Sequence, residues 1–305
     1  TPKPSSAASD VYKRQAVEET FGINIDDFAL GVDSVGGAFE TAGRQKITPP
    51  DPEVPQDTEA AAFFDVDNTL IQGSSLILLA QGLFKKRFIT LSELAPALRK
   101  QIRYRVSGSE NADDIAEGRE QALAIVKGKS VEELKQACRE IVDNRMLQKS
   151  YADTIELASM HLAAGQQVWL VSATPVQIGQ ALAETLGFTG ALGTVAEEED
   201  GKFTGRLVGD ILHGPGKKHA VAALAALQQL DLSKCTAYSD SVNDLPMLNM
   251  VGSPVAVNPD RALRKHAKAQ GWAVRDYRSV RRVMRAGVVP AVLAAAGLWW
   301  WRRRR

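Results

Sequence analysis

The segment Asp65-Val66-Asp67-Asn68-Thr69 places two carboxylates two residues apart, directly after the apolar run 60–64. Residues two apart on a strand share a face, and where the strand ends both can turn toward one cavity. Such a pair can divide labour, one attacking as a nucleophile while the other trades a proton with the leaving group. A divalent cation nearby would hold the nucleophile ionised. Turn chemistry also favours Asp and Asn at such a place, so this segment alone does not decide.

Three later segments carry comparable signals. Ser172 ends the hydrophobic run 167–173 just before a predicted helix, where a hydroxyl and free backbone N–H groups can cradle a phosphate or simply cap the helix. Lys217 and Lys218 follow Gly-Pro-Gly at another helix start. A lysine there can balance transition-state charge, although adjacent lysines also occur as a solvated pair. Asp240 and Asp244 lie in YSDSVNDLPML, directly after an apolar strand. Oxygen-only ligands are what magnesium prefers, and a loop aspartate can equally be a helix cap.

The elements that must position these residues follow from periodicity. Buried strands are expected at 60–64, 167–173, CTAYSD and SPVAVN, with hairpin flanks around Asp200-Gly201. Residues 74–165 read as almost wholly helical. Thr90 with Glu93, Ser130 with Glu133 and Ser150 with Asp153 fit capping-box starts or an acidic variant. Thr174 is the expected N-cap of the helix after the second strand, with Pro175 at its first position. Another helix is expected from about Lys217 to Leu230. The alternation predicts an α/β fold: a parallel-sheet, Rossmann-like core (60–73 plus 166–275) interrupted by a helical cap (74–165). In such sheets chemistry gathers at the carboxyl ends of strands, where Asp65, Ser172 and Asp240 all fall.

Residues 1–59 are expected to contribute no fold. The run TPKPSSAASDVYKRQ reads as translated adapter sequence, and TPPDPEVPQDTE as an extended linker. With 45% hydrophobic residues and a formal net charge of +1, the chain can bury a large core and gives no global reason to bind nucleic acid. Cys138 and Cys235 lack ligand-like spacing and read as buried thiols of a reducing compartment. No apolar stretch of secretory-signal length occurs in the first forty residues. At the other end, 286–301 is uncharged (AGVVPAVLAAAGLWWW) between Arg285 and the four terminal arginines. As a helix it would reach ~24 Å against a ~30 Å bilayer core. Three tryptophans beside four arginines suit an interface. This C-terminal apolar helix is expected to touch a membrane, spanning it or lying on it, with packing on the protein's own surface as the alternative and the rest cytoplasmic.

Taken in order, DVDNT, a strand-end Ser, a Lys and SDSVND resemble the four motifs of the haloacid dehalogenase-like hydrolases over roughly residues 60–275. The helical insert resembles the phosphoserine-phosphatase-like branch, subfamily IB. The resemblance implies a Mg²⁺-dependent phosphatase in which Asp65 becomes an aspartyl phosphate and Asp67 is general acid, then base. Mg²⁺ would be held by the Asp65 and Asp240 carboxylates and the Asp67 carbonyl, with Asp244 supporting the shell. Thr69 would order the loop, Ser172 and Asn243 would meet the phosphate, and Lys217 would bind both phosphate and Asp65. The cap would close over substrate.

Two departures bear on the substrate. Enzymes of the branch that cleave phosphoserine carry a Glu nine residues after the nucleophile, where this chain has Ser74, in the apolar setting IQGSSLILLA. After the second-motif strand, SATP stands where Ser-Gly is usual. A small or lipid phosphate monoester, lysophosphatidate-like, is therefore expected ahead of phosphoserine. A phosphotransferase and a non-catalytic scaffold are the other readings. The scaffold predicts loss of a motif residue, yet Asp65, Asp67, Lys217 and Asp240 are all present.

Overall fold

The computed structural model describes residues 6–42, 47–90, 93 and 122–278. At its centre is β1 (Ala61–Phe64), four residues buried on both faces. Successive side chains of a strand point to opposite faces, so Ala62 and Phe64 enter one hydrophobic cluster and Ala61 and Phe63 the opposite one. Each fully buried phenylalanine contributes roughly 1.5–3 kcal/mol of transfer free energy. A strand with apolar side chains on both faces belongs in the middle of a helix-covered parallel sheet.

That sheet has the order β4-β3-β2-β1-β5-β6-β7 among the described residues. The other strands are β2 (Gln167–Pro175), β3 (Gly190–Glu199), β4 (Lys202–Val208), β5 (Thr236–Ser239), β6 (Ser253–Val257) and β7 (Ala273–Arg275). All neighbours run parallel except β3 and β4, the hairpin expected around Asp200-Gly201. Phe64 pairs with Leu170 on β2 and with Tyr238 on β5, so β1 and β5 end nearly level while β2 runs on to Pro175.

The N-terminal segment departs from expectation. Helix α1 covers Ser6–Phe21 and α2 covers Ile25–Thr41, capped by Asn24, whose side chain accepts from the Asp27 N–H at 2.9 Å. α2 buries Gly31, Ser34, Val35, Gly37 and Ala38 against β3 and a later helix, α7 (Pro215–Gln228). Its packing face is made of small residues, which hydropathy reads as mixed and polar. A Cβ on Gly31 would lie 2.2 Å from the His219 carbonyl oxygen. Gly31→Ala is expected to lower stability by about 1–3 kcal/mol, as overpacking does. A melting curve unchanged from wild type would mean that α2 is not docked in solution.

The insert leaves the sheet after β1 through α3 (Ser75–Lys85) and returns through α4 (Val131–Ile141), a π-helix (Val142–Met146), a 3₁₀ turn (Leu147–Lys149) and α5 (Ala152–Ala163). α3 and α4 meet so closely that a Cβ on Gly82 would be 2.4 Å from Ile141 Cγ1. Thr90 and Glu93 form the expected reciprocal box: the Thr90 N–H donates to Glu93 at 2.6 Å, and the Glu93 N–H to the Thr90 hydroxyl at 3.4 Å. Ser130 caps α4 through the Glu133 N–H. Ser150 does not cap α5: its hydroxyl donates to the Leu147 carbonyl, and Tyr151 is the N-cap. The returning chain is stitched to the β1 exit, with Gln72 N–H on the Lys149 carbonyl and Tyr151 N–H on the Leu70 carbonyl, both at 2.8 Å.

Further helices among the described residues include α6 (Val176–Leu186), α8 (Leu245–Leu248) and α9 (Arg261–Gln270). α6 begins one residue later than expected, because β2 continues through Pro175, which pairs with Thr194 across a register shift. The apolar run 286–301 lies outside the described residues, and no helix among them is long and apolar enough to cross a membrane.

Candidate active site

β1 delivers Asp65 to the carboxyl edge of the sheet, its N–H donating to the Tyr238 carbonyl on β5 at 2.9 Å. The residue is 6% exposed, and both its carboxylate oxygens are engaged. The Thr69 hydroxyl donates to Oδ2 at 3.0 Å, and Lys217 Nζ meets Oδ1 at 2.5 Å. The same ammonium reaches Asp244 Oδ2 at 2.7 Å, an oxygen that also accepts from the Ser239 hydroxyl at 2.6 Å.

Pro215 at the start of α7 puts Lys217 in the first turn, on the face that enters the sheet. Its neighbour Lys218 turns the other way and donates to the Gly22 carbonyl at 2.7 Å. The choice between two adjacent lysines is thus settled by helix phase.

Asp67 follows on the exit loop, half-buried. Its Oδ1 accepts from the Ser75 N–H at 2.9 Å and from the Ser75 hydroxyl, at the start of α3. The insert's first helix therefore touches the Asp67 carboxylate directly. Ser74, the preceding residue, caps α3 by accepting from the Ile77 N–H at 3.4 Å.

Asp240 ends β5 in a loop closed by a 3₁₀ turn, Val242–Asp244. Burial pushes its carboxyl up to about 7; a hydrogen bond from the Asn68 side chain lowers it and Asp244 raises it. Burial likewise pushes Asp65 up to about 8, with Lys217 pulling down and Asp244, Asp67 and Asp240 pushing further up. Burial also opposes the charge of Lys217, but Asp65 and Asp244 outweigh it and hold the ammonium above its ordinary range. Asp65 and Asp244 thus share one buried ammonium with Asp67 and Asp240 close by, and Arg278 acts on Asp240 as a further cation. Charge of the opposite sign is in deficit at this edge.

The remaining expected residues lie at the same edge with looser links. By extension of the register, Ser172 stands level with Val66. It is buried, and its hydroxyl bonds the Thr174 hydroxyl at 2.8 Å while accepting from the Thr174 N–H at 3.2 Å. Asn243 is exposed; its N–H donates to the Ser241 hydroxyl. No direct bond joins Ser172 or Asn243 to the carboxylates among the described contacts. Sequence reasoning passed over Ser239 and Ser75. Ser239 is a polar residue completing a buried strand, and Ser75 is a buried serine beside a more conspicuous one.

Comparison with known proteins agrees with this geometry. The haloacid dehalogenase-like hydrolase family profile matches residues 62–249, which contain Asp65, Lys217, Asp240 and Asp244. A Mycobacterium tuberculosis protein named phosphoserine phosphatase SerB1 is 52% identical over 248 residues, covering 81% of this chain and 80% of that one. A Neisseria meningitidis protein named histidinol-phosphatase is 33% identical over 71% of this chain and 98% of its own. Among solved structures, a protein of unknown function from Bordetella pertussis is 30% identical with a TM-score of 0.64, over 72% of this chain and 99% of that one. With its four-part carboxylate and lysine site at the end of a parallel sheet, the chain belongs to the haloacid dehalogenase-like hydrolases.

Proposed function

We propose that the protein is a Mg²⁺-dependent phosphomonoester hydrolase working through a phosphorylated Asp65. The observation that carries this reading is the buried Asp65 carboxylate, held from two sides by Lys217 and Thr69 with Asp67 on the adjoining loop. In the first step an Asp65 oxygen attacks phosphorus and the bond to the leaving oxygen breaks. The Asp67 carboxyl gives its proton to that oxygen, releasing an alcohol. Asp67 then takes a proton from a water that attacks phosphorus, the bond to Asp65 breaks, and inorganic phosphate leaves. Lys217 balances charge on the transferring group, and the Ser172 hydroxyl and the Asn243 side chain meet its oxygens.

The donor set suits Mg²⁺: two carboxylates, Asp65 and Asp240, with the Asp67 carbonyl, and Asp244 behind them. Among the described residues no three His, Cys, Asp or Glu side chains converge on one point. A site of two carboxylates and a carbonyl with open positions for water and phosphate needs no such trio. The charge deficit described above is what a divalent cation would correct. Bound there, Mg²⁺ would lower the charge barrier between the phosphate and Asp65.

Two of the relatives carry names that denote small phosphate monoesters, and a small monoester is the substrate class we assign. Leu76 and Ile77 favour a second, narrower reading. They are 53% and 41% exposed directly beside Ser75, the residue that holds Asp67. An apolar leaving group, lysophosphatidate-like, would find contact there that the Ser74 hydroxyl cannot offer an ammonium. The test is phosphate release with and without Mg²⁺ from phosphoserine, histidinol phosphate and lysophosphatidate. Mg²⁺-dependent release from any of them supports the hydrolase, and the ranking selects the substrate. Silence across phosphate esters would overturn the hydrolase reading and restore the scaffold.

A further inference from the structure

The tripeptide Asn258-Pro259-Asp260, after β6, lies outside the segment matched to the family and contributes no group to the mechanism above. It nevertheless touches both loops that carry the proposed cation ligands. Asn258 is fully buried, with the left-handed φ of +48° that Asn tolerates better than most residues. Its Nδ2 reaches past β5 and donates to the Asn68 carbonyl at 2.9 Å. Its Oδ1 accepts from the Tyr277 N–H at 2.7 Å and the Arg278 N–H at 3.2 Å. Two residues on, the Asp260 N–H donates to the Asp240 carbonyl at 2.7 Å. Asp260 Oδ2 accepts from the Val242 N–H at 2.9 Å, and Oδ1 caps α9 through the Leu263 N–H at 2.7 Å.

Asn68 is the residue through which this matters. It too has a left-handed φ, +56°. Its N–H donates to the Ile71 carbonyl at 2.7 Å, fixing the plane of the Asp67–Asn68 peptide and therefore the direction of the Asp67 carbonyl. Its side chain lies beside Asp240 and accepts from the Gly73 N–H at 3.1 Å. Pinning Asn68 from behind thus sets the Asp67 carbonyl and Asp240 relative to each other. Asp260 sets the other end of the same span by holding residues 240–242.

We propose that Asn258 and Asp260 are positioning residues that together fix the spacing of the two cation-binding loops, after β1 and after β5. The inference rests on the reading that Asp65, Asp240 and the Asp67 carbonyl hold Mg²⁺. Outer partners that orient metal ligands typically change metal affinity by about 10- to 100-fold when removed.

Two substitutions isolate the effect. Asn258→Asp keeps both acceptor bonds to Tyr277 and Arg278 and loses only the donor to Asn68, while adding negative charge. Asp260→Asn can keep the α9 cap and loses the bond from Val242, while removing negative charge. Electrostatics alone would tighten Mg²⁺ binding in the first and loosen it in the second. Positioning predicts weaker binding in both, by at least about tenfold. The measurement is calorimetric titration of metal-stripped full-length protein with MgCl₂, with melting in EDTA to establish that each variant is folded. Asn258→Gly, which tolerates the same φ and adds no charge, serves if the Asp variant does not fold. Folded variants that bind Mg²⁺ as tightly as wild type overturn the inference. Wild-type protein that binds no Mg²⁺, or binds it unchanged in Asp240→Asn, overturns the cation reading instead.

Discussion

Asp65→Asn is expected to lower phosphate release by about four orders of magnitude or more, with little effect on folding. The amide oxygen is a poor nucleophile, so the acyl phosphate cannot form and only direct attack by water remains. The substitution also removes one of the two carboxylates assigned to Mg²⁺. The fold is expected to survive because the neighbours stay partnered. Lys217 keeps Asp244 at 2.7 Å, and the Thr69 hydroxyl can donate to the amide oxygen as it does to Oδ2. Asn also removes a carboxyl that burial pushes up to about 8, so the metal-free variant should melt no lower than wild type at pH 8. Acid-quenched wild-type protein, caught during turnover, should carry a phosphoryl group on the peptide containing Asp65. Turnover within tenfold of wild type in the Asn variant would exclude Asp65 as the nucleophile.

The residues of this site differ in how far they could be read from the chain alone. Asp65 and Asp240 each close an apolar strand, so a change of hydrophobic period marks both, and a parallel sheet then brings the strand ends together. The parallel sheet itself was legible for the same reason, since β1, β2, β5 and β6 are apolar runs bounded by polar loops. Lys217 was legible only through Gly-Pro-Gly, because nothing local says which of two lysines faces inward. Ser239 and Ser75 were not legible, since a buried serine gives no periodic signal and its partners lie 5 and 8 residues away through folded loops. Asn258 is harder still, for its contact with Asn68 spans 190 residues.

Helix α2 was missed for a different physical reason. Hydropathy patterns report large apolar side chains, whereas α2 packs by close backbone approach at Gly31 and Gly37 and by the Ser34 hydroxyl, which accepts from the Asp210 N–H at 2.8 Å. The same limit explains the helix starts. Ser150 and Thr174 have the right chemistry for caps, but tertiary pairing claims them: Ser150 bridges to Ile71, and Thr174 lies within a strand that runs on to Pro175, paired with Thr194. Local propensity was sound and was overridden by neighbours far along the chain.

Lys217→Met should show how much of this architecture depends on one charge. Met conserves most of the side-chain volume but leaves Asp65 and Asp244, 6% and 3% exposed, without their shared cation. Removing one partner of a buried ion pair typically costs about 3–5 kcal/mol, and a loss of that size is expected in EDTA at pH 8. The pH dependence has a definite sign. Lys217 lowers the Asp65 pKa, yet burial already holds it at about 8 against an ordinary 3.8. Without the ammonium the folded state binds protons still more tightly than the unfolded chain. Between pH 4 and 8 the folded protein therefore carries the extra proton, and its stability falls as pH rises. Wild type shows the same fall below about pH 8, so the deficit of Lys217→Met should widen chiefly above pH 8, where wild type ionises Asp65 beside the ammonium and the Met variant must do so unpaired. Mg²⁺ should recover part of it, by supplying positive charge to Asp65, without restoring phosphate release, since the phosphate loses its own contact with the lysine. Melting curves in EDTA and in MgCl₂ across this pH range and above it read each of these outcomes. A Met variant as stable as wild type at pH 8 without metal would mean that the two carboxylates do not rely on Lys217, and the charge argument for the cation would fall with it.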